Sequence, residues 1–142
     1  MTLGADAEVT RETLAPVSLE LPRINYEAHA GKLYRYVWGT GIRSPGDFLD
    51  SIVKVDTKTG DVARWYEGGA YPGEPVFFPA PSAQAEDDGV LLSVVLDIKK
   101  DVSFLLVLDA SSLTEKARAE ALHAIPFHFH FAGANVSKGG RE

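Results

Sequence analysis

The sequence contains no cysteine in its 142 residues. Disulfides, zinc–thiolate centres and iron–sulfur clusters are therefore excluded. Histidine, aspartate and glutamate remain as the side chains that could hold a metal. Basic residues are also few, with 14 Lys and Arg against 20 Asp and Glu for a net charge of −6, and they form no cluster. An acidic chain without a basic patch is a poor match for nucleic acid.

Long apolar runs are missing as well, since no stretch approaches the roughly 20 residues that a membrane-spanning helix needs. Residues 1–10 lack the basic start and apolar centre of a secretory signal. Gly-rich phosphate loops and nucleophile-elbow motifs are absent, which gives nucleotide and hydrolase chemistry no support. We therefore expect a cytoplasmic protein. Peripheral membrane contact stays open as an alternative, because monotopic attachment can leave a weak sequence signal.

The apolar residues, 45% of the total, occur in short runs that are typical of antiparallel β-strands. The runs predict strands at Leu33–Trp38, Phe48–Asp56, Val62–Tyr66, Glu74–Phe78, Gly89–Leu96 and Ser103–Leu108. Polar clusters at Asp56–Gly60 and Asp97–Asp101 predict a turn and a hairpin loop. Only Ser111–Leu122 is compatible with a helix, and we expect a short helical turn near Ser111–Arg118.

Strands that recur about every ten residues predict an all-β sandwich, barrel or propeller. No clean internal repeat is visible, so the pattern does not choose among these architectures. The two ends, residues 1–10 and residues 132–142, are small, polar or Gly-rich, and we expect both to be disordered. The folded domain is thus predicted to span residues 11–131.

Two histidines near the C-terminus are the first candidate metal ligands. His128 and His130 stand two apart between Phe127, Phe129 and Phe131. On a strand, residues two apart face the same side, and two imidazoles on one face can bind a divalent metal. The alternative is a sheet edge that carries two solvated histidines.

Two glutamates inside apolar runs are the second candidate group. Glu20 lies in Leu19–Pro22, and Glu74 precedes Pro75 and another apolar run. Such a charge can lie on a solvated strand face. It can also accept the N–H of a metal-bound histidine and so fix the ring. The cluster Glu86–Gly89 lacks the spacing of an EF-hand, and we interpret it as a tight acidic turn.

Four segments together resemble the carotenoid oxygenase family. They are Glu20–Asn25, Glu74–Pro79, Glu86–Val95 and the stretch from Leu108 through Ala117–Ala119 to Phe127. Their order and spacing are similar to the C-terminal portion of that family, over about Arg11 to His130. The resemblance implies the last blades of a seven-bladed β-propeller. It also implies an iron(II) enzyme that uses dioxygen to cleave a conjugated double bond of a carotenoid, apocarotenoid or stilbene.

The resemblance also implies a site. His130 matches the last of the family's four iron-binding histidines, Glu74 the carboxylate that orients it, and Glu20 a carboxylate that orients another histidine. The first three iron-binding histidines have no counterpart in this sequence. The family usually has glycine two residues before the ligand and directly after it, where this sequence has His128 and Phe131. His128 is therefore kept as an alternative ligand.

Three functional hypotheses follow. The first is the C-terminal part of a dioxygenase, inactive by itself, whose complete form binds Fe²⁺, O₂ and an apolar polyene or stilbene. The second is a non-catalytic β-structured protein derived from that family, which binds a partner or itself through exposed strand edges. The third is an unrelated small β-barrel that binds metal through His128 and His130.

Overall fold

A computed structural model of the chain describes residues 10–126. These residues form two antiparallel sheets, which confirms the predicted all-β fold. The elements are β1 Glu20–Arg23, α1 Tyr26–His29, β2 Tyr36–Gly41, β3 Ser51–Asp56, β4 Val62–Tyr66, β5 Ala70–Pro72, β6 Val76–Pro79, β7 Gly89–Asp97, β8 Val102–Asp109 and β9 Glu115–Glu120. Disorder was expected for residues 1–10 and 132–142, and all of these residues except Thr10 lie outside the described part. No helix in the described part is long and apolar enough to cross a membrane.

The first sheet is a four-stranded meander in the order β1-β2-β3-β4. The second sheet has the same plan, except that its first strand is divided into β5 and β6, which both pair with β7 before β8 and β9 follow. Each sheet is thus built from consecutive antiparallel strands, as in one blade of a propeller. The two sheets correspond to the last blades of a β-propeller, which the resemblance implies.

The core lies between the two sheets. From the first sheet it contains Trp38 and Ile52, both fully buried, and from the second it contains Leu91 and Leu106, also fully buried. Trp38 stacks on Phe77 with 4.8 Å between ring centroids. Each fully buried aliphatic side chain contributes about 1.5–3 kcal/mol, so this interface is the main source of cohesion between the sheets.

The outer faces of the two sheets differ in how far they are buried. Every residue of β3 is buried, because the segment before β1 lies against the far face of the first sheet. A methyl group at Gly41 would approach the carbonyl oxygen of Ser18 to 2.8 Å, and one at Gly60 that of Leu14 to 2.7 Å. On the far face of the second sheet, by contrast, the apolar side chains are only half-buried. They are Val90, Leu92, Val94, Leu96, Leu105 and Val107.

The turn after β3 forms as the sequence predicts. Asp56 Oδ1 accepts hydrogen bonds from the backbone N–H groups of Lys58 (2.9 Å) and Thr59 (3.3 Å). Gly60 closes the turn with φ +80°, a conformation that favours glycine. The Arg35 guanidinium donates to Asp56 Oδ2 at 2.7 Å and, together with these N–H groups, holds the pKa of Asp56 well below its usual value.

The predicted helix after β8 is wrong, because the same kind of turn occurs there. Asp109 Oδ1 accepts from the backbone N–H groups of Ser111 and Ser112, both at 3.0 Å, and Leu113 takes φ +57°. Hydrogen bonds from Ser111, Lys116 and Ser112 lower the pKa of Asp109. Residues 115–120 then pair with β8 as the strand β9. Pairing with an existing strand outweighs the helix propensity of the Ala, Lys, Arg and Glu side chains there.

Candidate functional site

Glu74 lies in a bulge that divides the first strand of the second sheet. Pro72 pairs with Val95 and Val76 with Leu92, so three residues on one strand face two on the other. The insertion is held by Ser93 of β7, whose hydroxyl donates to the carbonyl oxygen of Gly73 at 2.9 Å. Bulges of this kind re-aim a side chain, and they are frequent next to active sites.

The Glu74 side chain is buried, with 7% of its surface exposed, and its Oε1 accepts a hydrogen bond from Arg23 Nε at 2.7 Å. The predicted strand Glu74–Phe78 therefore begins two residues later, at Val76, and Glu74 is not on a solvated strand face. Burial of a carboxylate is costly unless it is paired, and the guanidinium provides that pairing. The sequence interval between the two partners is 51 residues.

Glu20 lies at a second bulge, in the first strand of the first sheet. Glu20 pairs with Thr40 and Arg23 with Trp38, so this strand also carries one extra residue. Leu21 takes φ +50° at the irregularity, and the Thr40 hydroxyl donates to the Glu20 carbonyl oxygen at 3.3 Å. In contrast to Glu74, the Glu20 side chain is exposed in the described part of the chain.

The two glutamates thus occupy equivalent places in two similar sheets. Each lies at a bulge of the first strand, and each bulge accepts a hydrogen bond from a fully buried hydroxyl residue of the next strand, Thr40 or Ser93. Sequence reasoning missed both hydroxyl residues. The signal available in the sequence was a Thr or Ser within an apolar run, 20 positions after the residue to whose carbonyl oxygen it donates. Neither the bulges nor the equivalence is visible without the strand register.

The histidine ligands predicted from the sequence, His128 and His130, lie outside the described residues. Within residues 10–126, no group of three or more His, Asp or Glu side chains converges to hold a metal ion. The burial of Glu74 is compatible with a carboxylate that orients a ligand, since such a group needs one donor rather than a full coordination shell. The pairing of Glu74 with His130 stays a prediction.

The acidic cluster is a turn, as interpreted from the sequence. Glu86 Oε1 accepts from the backbone N–H groups of Arg35 (2.8 Å) and Tyr36 (2.9 Å). Asp88 Oδ2 accepts from the backbone N–H of Gln84 at 3.0 Å. Two of these carboxylates are thus used to hold loops in place.

Lys54 joins the two sheets on the same side as this turn, and sequence reasoning missed it. Its ammonium group donates to Asp87 Oδ2 at 2.5 Å and to the carbonyl oxygen of Ser111 at 2.8 Å. It also lies 4.2 Å from the centre of the Tyr36 ring. Burial raises the pKa of the Tyr36 phenol. A lysine at an inward position of β3 gives no recognisable pattern, because its partners come from residues 33 and 57 positions later.

Known proteins match this chain over most of its length. The family model described as retinal pigment epithelial membrane protein matches residues 1–132. A Neurospora crassa carotenoid dioxygenase is 45% identical over 126 residues, which are 88% of this chain and 20% of that protein. Human beta,beta-carotene 15,15'-dioxygenase is 50% identical over 103 residues, 71% of this chain and 18% of that protein. The chain therefore spans about a fifth of the length of these curated relatives.

Solved structures of an apocarotenoid oxygenase are also similar to this chain. A mutant of the Synechocystis apocarotenoid oxygenase superimposes with a TM-score of 0.77 at 30% identity, over 82% of this chain and 25% of that one. An unrelated small β-barrel is thereby excluded, and the β-sheets are those of the carotenoid oxygenase propeller. Because the family model covers residues 1–132 and a carotenoid dioxygenase matches 88% of the chain, the chain belongs to the retinal pigment epithelial membrane protein family, which includes the carotenoid-cleaving oxygenases.

Proposed function

We propose that this chain is the C-terminal part of an iron(II)-dependent dioxygenase that cleaves a conjugated double bond of a carotenoid, apocarotenoid or stilbene. Two of the relatives are named as carotenoid dioxygenases, and one solved structure as an apocarotenoid oxygenase. The observation that carries the proposal is Glu74, a carboxylate buried to 7% exposure at a bulge of the first strand of its sheet.

In this proposal His130 is the iron ligand of the chain and Glu74 orients it. A carboxylate that accepts one imidazole N–H fixes the tautomer and leaves the lone pair of the other nitrogen to the metal. Glu20 does the same for a histidine outside this chain, and His128 is the alternative ligand. When bound, the iron supplies the activation of dioxygen. The residues of this chain hold the imidazole in place and help to enclose an apolar substrate.

The proposal places the complete protein in the cytoplasm, with peripheral attachment to a membrane as the alternative. The proposed partners are the polyene or stilbene substrate and O₂. Nucleic acid is not proposed as a partner. The second candidate is a non-catalytic protein derived from the family, which binds a partner or itself. The half-buried apolar side chains on the far face of the second sheet, among them Leu92, Val94 and Leu105, favour it. Measurement of iron binding decides between the two.

The test is Glu74→Gln in a full-length protein that contains this sequence. The amide keeps the shape of the side chain but is a weaker acceptor, so we expect the affinity for iron(II) to fall about 10- to 100-fold. Glu20→Gln should act similarly. The matched control is Glu67→Gln, which also removes a carboxylate that accepts from an arginine, Arg118 at 2.7 Å.

Iron content after dialysis against a weak chelator is the measurement. Equal retention by Glu74→Gln, Glu67→Gln and the unchanged protein would contradict the proposed role of Glu74. A full-length protein that retains no iron would instead favour the non-catalytic candidate. A structure in which His128 takes the place beside Glu74 would assign the ligand to position 128.

A further inference from the structure

Arg23 connects the two bulges that carry the candidate carboxylates. It is the last residue of β1, three positions after Glu20 on the same short strand. Its Nε donates to Glu74 Oε1 at 2.7 Å, across the gap between the first strands of the two sheets. A charge-assisted hydrogen bond of this length is among the stronger polar contacts in proteins. The position of Glu74 is therefore coupled to the strand that carries Glu20.

The arginine is itself held in place. Its backbone pairs with Trp38, which is fully buried in the core between the sheets. Its guanidinium lies 5.9 Å from the centre of the Tyr26 ring, and its side chain is 28% exposed. A donor that is anchored by its own strand can restrict the rotation of a carboxylate, whereas a free solvent-exposed arginine cannot.

We infer that Arg23 is a positioning residue that holds the Glu74 carboxylate in the orientation needed to accept the N–H of the metal-ligating imidazole. The inference rests on the proposed function. An ionised carboxylate has about four lone-pair sites on its two oxygens, so a guanidinium donor on Oε1 is compatible with a second donor. The guanidinium also offsets the cost of burying the carboxylate charge. Arg23 thus acts through Glu74 and does not touch the metal.

The experiment uses a full-length protein that contains this sequence, with Co²⁺ as a spectroscopic substitute for iron(II). The variants are Arg23→Gln, Glu74→Gln and the double variant. The matched control is Arg35→Gln, which removes a guanidinium that also donates to a carboxylate at 2.7 Å, that of Asp56. Titration gives the dissociation constant for Co²⁺, and the visible d–d bands report the geometry of the ligands.

Arg23→Gln should raise the dissociation constant for Co²⁺ about 3- to 10-fold, less than Glu74→Gln, and should shift the d–d bands. In the Glu74→Gln background the same change should add less than about twofold, because residues that act through one contact are not additive. Arg23→Lys should give an intermediate value, since it keeps the charge but loses the planar fork. It also replaces Arg23→Gln as the test if that variant does not fold.

Two results separate the inference from the function on which it rests. If Glu74→Gln weakens Co²⁺ binding but Arg23→Gln behaves like Arg35→Gln, or if the effects at positions 23 and 74 add, Arg23 is not a positioning residue and the proposed function stands. If the unchanged protein does not bind Co²⁺, or if Glu74→Gln leaves binding unchanged, the proposed function is overturned and the inference with it.

Discussion

Replacement of Lys54 by methionine should destabilise the fold more than substitution of an exposed charge, because Lys54 is a buried cation between the two sheets. Its side chain is 8% exposed and that of its partner Asp87 is 13% exposed. Methionine has a similar volume but leaves the Asp87 carboxylate and the Ser111 carbonyl oxygen without this donor. Removal of one partner of a buried ion pair costs about 3–5 kcal/mol. Since Asp87 keeps some contact with solvent, we expect about 3 kcal/mol for Lys54→Met.

A double variant that also removes the Asp87 carboxylate tests whether the loss comes from an unpaired buried charge. In Lys54→Met/Asp87→Asn no unpaired charge remains, so the total loss should shrink to about 1–2 kcal/mol, the cost of the lost hydrogen bonds. The difference between the double variant and the sum of the single variants gives the coupling energy of the pair. The matched control is Lys100→Met. It removes a lysine that pairs with Glu120, where both side chains are more than half exposed, and it should change stability little.

The assay is urea unfolding of the 142-residue chain at two protein concentrations, followed by the fluorescence of Trp38 and Trp65. Both rings are buried, with 0% and 8% of their surface exposed, so emission should report separation of the sheets. Because self-association would make the midpoint depend on protein concentration, the variants are compared at equal concentration. The free energy of unfolding is obtained by linear extrapolation where the two concentrations give the same midpoint. The reasoning is refuted if Lys54→Met unfolds at the same urea concentration as the unchanged chain, or loses no more stability than Lys100→Met.

Three further predictions concern pH, a bulge and the chain in isolation. The pKa of Asp109 is lower in the folded state than its ordinary value of 3.8. The ionised carboxylate therefore stabilises the fold above about pH 4, and this stabilisation is lost as the pH falls through the lowered pKa. In Asp109→Asn the urea midpoint should therefore fall less between about pH 5 and 2 than in the unchanged chain. An equal fall of the midpoint in both proteins would contradict this. Gly39→Ala should destabilise the β1 bulge in the same assay, because its methyl group would lie 2.5 Å from the Glu20 carbonyl oxygen; a neutral effect would show that β1 can shift freely. The purified chain should show no iron-dependent cleavage of a carotenoid or stilbene, and measurable turnover would refute this. It should also self-associate through the half-buried face of the second sheet. A monodisperse monomer with a sharp reversible melt would refute that expectation.

The strands of the second sheet were the most predictable elements. Gly89–Leu96 and Ser103–Leu108 are within one residue of β7 and β8 at each end. Both are long apolar runs with turn residues on either side, so local pattern and tertiary pairing agree. The strand predicted at Leu33–Trp38 was displaced, since β2 begins at Tyr36 and continues through Gly39 to Gly41. Glycine weakens a strand signal in sequence, but these positions pair with Ser51–Val53 and lie against the segment before β1.

The candidate site was also predictable only in part from the sequence. Both glutamates could be selected from the sequence, because each is a charge in an apolar run and each lies in a segment that resembles the family. The sequence could not show that Glu74 is buried while Glu20 is exposed, nor that Arg23 reaches Glu74. That contact joins residues 51 positions apart and depends on two bulges whose existence follows from strand register.

The sequence by itself determined the all-β class, the family, the candidate carboxylates and the turns at Asp56 and Asp97, because these depend on residues that are close together or on motifs in a fixed order. Each of these two aspartates accepts hydrogen bonds from the backbone N–H groups two and three residues later. The tertiary structure decided that Glu115–Glu120 is a strand, since its alternative, an isolated short helix, is less stable than pairing with an existing strand edge. It also decided which charges are buried. Arg23 and Lys54 became inter-sheet contacts because the packing of two sheets brings distant residues into a low-dielectric interface, where a charge requires a partner.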